Sequence, residues 1–323
     1  MDNYNGKYEL IDFTKLKRYK ISMRKSKVSC EQFIHDTYSS GISRFVEILP
    51  DILKGKDIKE LLNLMYMAHR NKKQFMISMG AHVIKCGLSP LLIEMMKRGI
   101  IKHLALNSAC AIHDFEIAHS GKTSEEVADG IIDGTFGMSI DTGKFINSSA
   151  IYALENKKGF GESIGEKMEI DGIEGRNRSI IYNCWKLNIP VTIHAAIGTD
   201  IVHPHPEFRG EAFGFASGID FKIFTNSVSK LNNGAIYFNI GSAVILPEVF
   251  LKAITSVRNL GYNSFEFYTV NCDMKEQYRA SVNVTGRPVL GGGRSFTFIG
   301  HHEIMIPLIF GALMEKIDLE NKK

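Results

Sequence analysis

The sequence predicts one large α/β domain, built on a single doubly wound, mostly parallel sheet. Three observations lead there. Short apolar runs such as "KQFMISMGA" and "AIYFNIGSA" end in small residues, and each passes into a segment of helical period and length. Strands and helices alternate in this way along most of the chain, as they do when helices cover both faces of a parallel sheet. With 323 residues, 44% hydrophobic and 23% charged, the chain also has ample apolar material for a large core.

Residues 1 to 45 form a basic, polar leader expected to be mostly helical, and residues 46 to 323 form the α/β domain. In "GISRFVEILPDILKG", Ile42, Phe45, Val46, Ile48 and Leu49 recur at helical spacing. "DIKELLNLMYMAHRN" continues the pattern from Asp57, an expected N-cap. "KQFMISMGAHVIKCG" predicts a strand and a glycine-containing turn, and "LSPLLIEMMKRG" a helix closed by Gly99. "IKHLALNSACAIHDFEIAH" repeats strand and helix around Asn107-Ser108-Ala109. "NRSIIYNCWKLN" reads as a helix, and "IPVTIHAAIGTD" as a strand with its exit loop. "GAIYFNIGSAVILPEVFLKAITSVRNLG" is strand, turn and helix again, "SFEFYTVNCD" a strand, and "RSFTFIGHHEIMIPLIFGALME" a last strand and closing helix. Residues 118 to 175 and 272 to 295, rich in Gly, Asp and Ser, read as long loops available to substrate or partner.

A net charge of +4 is too mild for a nucleic-acid binder. The local cluster Lys15, Lys17, Arg18, Lys20, Arg24, Lys25 and Lys27 reads as a solvated face or arm. Cys30, Cys86, Cys110, Cys184 and Cys272 form neither a CxxC pair nor an even framework, which favours a reducing compartment. No signal pattern opens the chain and no apolar run has membrane-spanning length, so a cytoplasmic protein is expected, with neither membrane nor nucleic acid as partner.

Ligands of open parallel sheets gather at the carboxyl ends of the strands, where helix N-termini present unpaired N–H groups. Small residues recur there: Gly80-Ala81, Ser108-Ala109, Gly198-Thr199, Gly241-Ser242-Ala243 and Gly300. They would let a phosphate approach the backbone closely, although no strict GxGxxG occurs. Polar residues beside these turns, including His82, Asn107, Asp114, His194, Asp200, His203, His205, Asp273, His301, His302 and Glu303, would converge on one rim. The "HPH" at 203 to 205 and "HHE" at 301 to 303 could supply metal ligands, yet neither is a diagnostic spacing, and no metal site is assigned. GxSxG is absent, and "LGGGRS" at 290 to 295 precedes a strand and lacks the lysine of a phosphate-binding loop.

The order of these turns resembles the deoxyhypusine synthase family over residues 28 to 315. The resemblance is carried by "GAHVIKCG" (80 to 87), "LALNSACAIHDFE" (104 to 116), "RSIIYNCWKLNIPVTIHAAIGTD" (178 to 200), "YFNIGSAVILPEVFLKA" (237 to 253), "TVNCD" (269 to 273) and "FIGHHEIMIPLI" (298 to 309). It implies a Rossmann-like, deoxyhypusine synthase-like fold that binds NAD and assembles as a homodimer or homotetramer. In that family these turns wrap the cofactor, which points to Gly80, Ala81, His82, Ser108, Ala109, Asp114, Gly198, Asp200, Gly241, Ser242, Thr269 and His301 as its contacts, with Asp114 and His301 on ribose.

The departures bear on the reaction. The family's imine-forming lysine, counted back from Pro307, falls on Arg287 and Pro288, and a guanidinium is no amine nucleophile. The histidine after the family's glycine triplet falls on Pro247 or Glu248, and the lone tryptophan, Trp185, sits before the "IPV" strand. Deoxyhypusine synthesis itself is therefore not expected. The expected activity is NAD-dependent hydride abstraction from an amine- or hydroxyl-bearing small molecule, with His205, Glu248 and His302 handling protons and His203 and His205 facing the substrate. Aminobutyl transfer of the homospermidine synthase kind, and metal-assisted hydrolysis or lysis through His203, His205, His301 and His302, are the alternatives.

Overall fold

The computed structural model describes residue 7, residues 11 to 30 and residues 41 to 322. Its centre is a 6-stranded, all-parallel sheet. The strands are β2 (Phe75–Met79), β3 (His103–Asn107), β5 (Val191–His194), β6 (Ile236–Ile240), β7 (Phe267–Asp273) and β8 (Gly293–Ile299), in the order β5-β3-β2-β6-β7-β8. The remaining strands, β1 (Ser26–Ser29) and β4 (Lys122–Glu125), pair antiparallel in a separate ribbon. From β2 the chain steps through β3 to β5 on one side, then returns to β6 beside β2 and steps outward to β8. This is the doubly wound order, with its reversal between β2 and β6.

Alternating side chains of the strands feed two apolar layers. Phe75, Ile77 and Met79 of β2 join Phe238 and Ile240 of β6 in a cluster with α2 (Leu53–Arg70), α4 (Ser89–Lys97) and α13 (His302–Asn321). Met76, with Tyr237, packs against Phe224 and Val228 of α10 (Gly210–Val228) and Phe250 and Val257 of α11 (Ile245–Asn259). Both faces are covered, so β2 and β6 are buried along their whole length.

The long crossover from β3 to β5 carries α5 (Ser108–Ser120), α6 (Val127–Asp133), α7 (Ile140–Asn156), α8 (Phe160–Ile170) and α9 (Ile180–Lys186). The stretch 118 to 175, expected as loop, is therefore mostly helix. Several of its glycines are points of close approach: a Cβ on Gly161 would lie 2.2 Å from the Val191 carbonyl oxygen, and one on Gly165 2.5 Å from Trp185 Cβ. The stretch 272 to 295 likewise contains α12 (Tyr278–Asn283). Edge strand β5 is covered by Asp220 of α10, whose Oδ2 accepts from the amides of Ile193 at 2.7 Å and Gly161 at 3.0 Å.

The leader departs from expectation as well. Over residues 11 to 30 it makes two 3-10 turns and β1, while residues 31 to 40 and most of the first ten lie outside the described residues. Nor does a boundary fall at residue 45, which lies within α1 (Ile42–Ile48); there Glu315 of α13 accepts from the Ser43 amide at 2.6 Å, and Val46 is in the core. Leu53 starts α2, so Asp57 is inside the helix and Ile52 is its N-cap. The basic cluster is only partly a solvated face. Arg24 is buried, bonded to Glu116 at 2.7 Å through both terminal nitrogens and to Glu125 at 3.0 Å, and Arg18 pairs with Glu207. Lys15, Lys17, Lys20, Lys25 and Lys27 are exposed.

Candidate functional site

At the reversal of the sheet the two central strands end in glycines that touch. The Gly80 amide donates to the Ile240 carbonyl at 2.9 Å, and the Gly241 amide to that of Cys272 at 2.9 Å. A Cβ on Gly80 would lie 2.3 Å from the Gly241 carbonyl oxygen. Gly241 has φ +63°, and a Cβ there would meet the His302 ring at 2.7 Å. Both positions thus exclude any side chain, and Gly241 in addition uses a conformation that glycine adopts without strain. Their amides are already spent on the sheet, so any donors for a ligand come from the residues that follow.

Those residues begin helices at the same rim. Ser108 and Ala109 start α5, capped by the Asn107 side chain, which accepts from the Cys110 amide at 3.1 Å. Ser242 precedes α11, and its Oγ accepts from Leu246 N at 3.3 Å. Ala81 and His82 begin the short α3 (His82–Lys85). Gly198 and Asp200 lie in the loop after β5. Asp200 is bonded to the Ser108 hydroxyl, and burial raises its pKa.

The order β5-β3-β2-β6 therefore brings Gly80, Ser108, Gly198 and Gly241 to one end of the sheet, as the sequence led us to expect. Chemistry at the rim is concentrated beside the two glycines. His302 is 1% exposed, its ring 5.3 Å from that of His82, and neither ring nitrogen has a well-formed hydrogen bond. Burial and neighbouring His82 lower its pKa, partly offset by Asp273 and the Cys272 carbonyl. Asp273 is also buried at the end of β7, and His301 is open to solvent.

Several expected site residues serve the fold instead. Asp114 is fully buried and accepts from the Ser179 hydroxyl and the amides of Ile180 and Ile181, holding the start of α9, so it touches no ribose. Thr269 is buried in the middle of β7, opposite Tyr237 and Ser295, away from the strand exit. His203 Nδ1 accepts from the amides of Gly198 at 3.0 Å and Asp200 at 3.2 Å, so it closes the loop, and the Gly198 amide is directed at it. His205 packs so closely on Gly143 of α7 that a Cβ there would lie 2.0 Å from Nδ1, and its Nε2 bonds the Gly137 carbonyl. It faces inward and is no general base. Glu248 pairs with Lys252, Arg279 and Asn283, and these partners hold its pKa below the usual range, which makes it a weak base.

The four histidines proposed as a metal set do not form one, because His203 and His205 are held at the β5 loop and against α7. Among the described residues, the group of ligand atoms lying within 4.8 Å of one another is His82, Cys86 and Glu303. Cys86 was the missed residue, and its sequence signal was the His-x-x-x-Cys spacing of 82 to 86, which sets both side chains on one face of a helical turn. A separate basic cavity of about 640 Å³, lined by His69, Arg70, Arg98 and Lys102 among others, opens at the opposite, amino end of the strands.

No family model and no curated protein matches this chain by sequence. Solved structures match at the level of fold. The complex of AgrE with ornithine and NAD+ aligns with TM-score 0.51 at 14% identity, covering 88% of this chain and 34% of AgrE. This chain thus spans about a third of AgrE. An LOR/SDH protein from Methanococcus maripaludis S2 aligns with TM-score 0.49 at 17% identity, over 89% of this chain and 74% of that one. A protein assigned as a deoxyhypusine synthase, from Entamoeba histolytica, aligns with TM-score 0.46 at 10% identity, over 92% and 96%. At 14% identity the likeness to AgrE is one of fold alone.

Proposed function

We propose that this chain is an enzyme that takes NAD at the β2/β6 reversal and acts on an amine- or hydroxyl-bearing small molecule by hydride abstraction. The observation that carries the reading is the pair Gly80 and Gly241, packed so closely at the rim that neither tolerates a side chain. The pair marks the reversal of the sheet, where a pyrophosphate would lie against the helix starts that follow the strands. AgrE shares the fold, and its structure is captured with ornithine and NAD+; the reading extends that pairing of ligands to this chain.

The residues present fit the group. The start of α5, at Ser108 and Ala109, and the turn leading into α11, at Ser242 and Ala243, would receive the pyrophosphate, and His301 is open enough to reach a ribose. NAD, when bound, supplies a nicotinamide that accepts hydride. Of the three expected proton-handling residues, His302 is the one with both ring nitrogens lacking a well-formed hydrogen bond, and it lies directly under Gly241. Its burial keeps water from those nitrogens and, with His82 beside it, lowers its pKa, so the ring is poised to take a proton rather than to hold an extra one; Asp273 only partly offsets this.

The test is thermal unfolding with NAD+ or NADH, together with mass spectrometry of the protein as purified. Ligand at about 100 times its Kd adds about 2.7 kcal/mol of stability, a readily measured rise in Tm. If neither dinucleotide shifts Tm and none accompanies the protein, the reading fails.

A further inference from the structure

We infer that His82, Cys86 and Glu303 form a binding site for a zinc-class transition-metal ion at the carboxyl rim of the sheet. His82 and Cys86 sit one helical turn apart at α3, and Glu303 comes from the first turn of α13, so two helices far apart in the chain each contribute. One ligand atom from each residue lies within 4.8 Å of the others, a spread that modest side-chain adjustment closes around one ion.

The donor types suit the ion. Imidazole nitrogen, thiolate and carboxylate oxygen are the ligands zinc takes, whereas calcium and magnesium favour oxygen alone. In the metal-free chain Cys86 Sγ is 3.6 Å from Glu303 Oε2. There the thiol donates to the carboxylate, and an ion bound between the two would take the place of that proton.

A second observation points into the same place. His302 is 1% exposed, its ring is 5.3 Å from that of His82, and its nitrogens lack well-formed hydrogen bonds. Three protein ligands would leave zinc a fourth position for water or substrate, and His302 packs beside the ligand His82. An amine or hydroxyl bound there would be polarised by the ion and reached by His302. The site goes beyond the dinucleotide reading and stands without it, since metal binding can be measured with no dinucleotide present.

The test is titration of the chelator-treated full chain with Zn2+ against a chromophoric competitor, and with Co2+ read in the near ultraviolet. One equivalent is expected to bind, and Co2+ should give a thiolate-to-cobalt charge-transfer band. Cys86→Ser should abolish the band, and both it and Glu303→Gln should weaken Zn2+ binding by more than the about 10- to 100-fold that loss of an outer-shell partner causes. Glu303 is exposed, so the Gln variant should keep the parent Tm when metal-free, which separates lost binding from lost fold. Absence of saturable binding at one equivalent, or an unchanged band and affinity in Cys86→Ser, overturns the inference.

Discussion

Asp220→Asn should make this protein more stable at neutral pH. Asp220 is fully buried; Oδ2 accepts well-formed hydrogen bonds from the amides of Ile193 and Gly161, the Phe160 amide also faces the carboxylate, and Oδ1 lies against Gly159. Burial outweighs these backbone donors and lifts the carboxyl from 3.8 to about 8. Below pH 4 the group is protonated whether the chain is folded or not, and its full contribution is present. As pH rises from about 4 to about 8, only the unfolded chain releases the proton, so folding stability falls. At 1.36 kcal/mol per pKa unit the loss is about 4 kcal/mol by pH 7. Asparagine is neutral throughout, and its carbonyl can accept both backbone bonds. Urea denaturation of both proteins from pH 4.5 to 8 isolates this group as a difference. Asp220→Asn should gain on the parent by up to about 4 kcal/mol at pH 7, the gain shrinking toward pH 4.5. A variant less stable by a constant amount at every pH, or a gain that grows toward acid, would refute the reasoning.

Other consequences follow from the same structure. Arg24→Met leaves Glu116 buried without its guanidinium and should cost about 3 to 5 kcal/mol in denaturant unfolding, most of it recovered in Arg24→Met/Glu116→Leu. Glu116 is held at about 2 because hydrogen bonds from His113 and Arg24 outweigh the burial that would raise it; the stability it contributes is present above its ordinary value of 4.5 and lost as pH falls toward 2, which acid unfolding of parent and double variant should reveal. Gly80→Ala forces a Cβ onto the Gly241 carbonyl and should lower stability by about 1 to 3 kcal/mol, with loss of the Tm rise on adding NADH. His205→Gln should leave NADH binding intact, since His205 supports α7 and the loop at Gly137; a variant that folds but has lost the cofactor would contradict that placement.

Much of the fold was legible because it rests on local signals. Period-two burial is not needed to recognise β2 or β6: a short apolar run, a small residue at its end and a helical period after it suffice. Glycine misled where it answered a tertiary need. Gly143, Gly161 and Gly165 make the 118 to 175 stretch look like loop, yet each sits in or at a helix pressed against His205, Val191 or Trp185. The rim itself was readable from Gly80 and Gly241, whereas the roles of its polar residues were not. Asp114 and His203 look like ligand contacts in sequence and prove to hold α9 and the β5 loop, through partners far along the chain or hidden in loop geometry. Cys86 went unread because Glu303 is its neighbour only after the sheet is wound.

The most direct measurement is a crystal structure of the full chain grown with NAD. The account predicts the pyrophosphate across the carboxyl ends of β2 and β6, against the backbone at Gly80 and Gly241 and between the starts of α5 and α11. Dinucleotide bound instead at the amino end of the strands, beside Arg98 and Lys102, would contradict it.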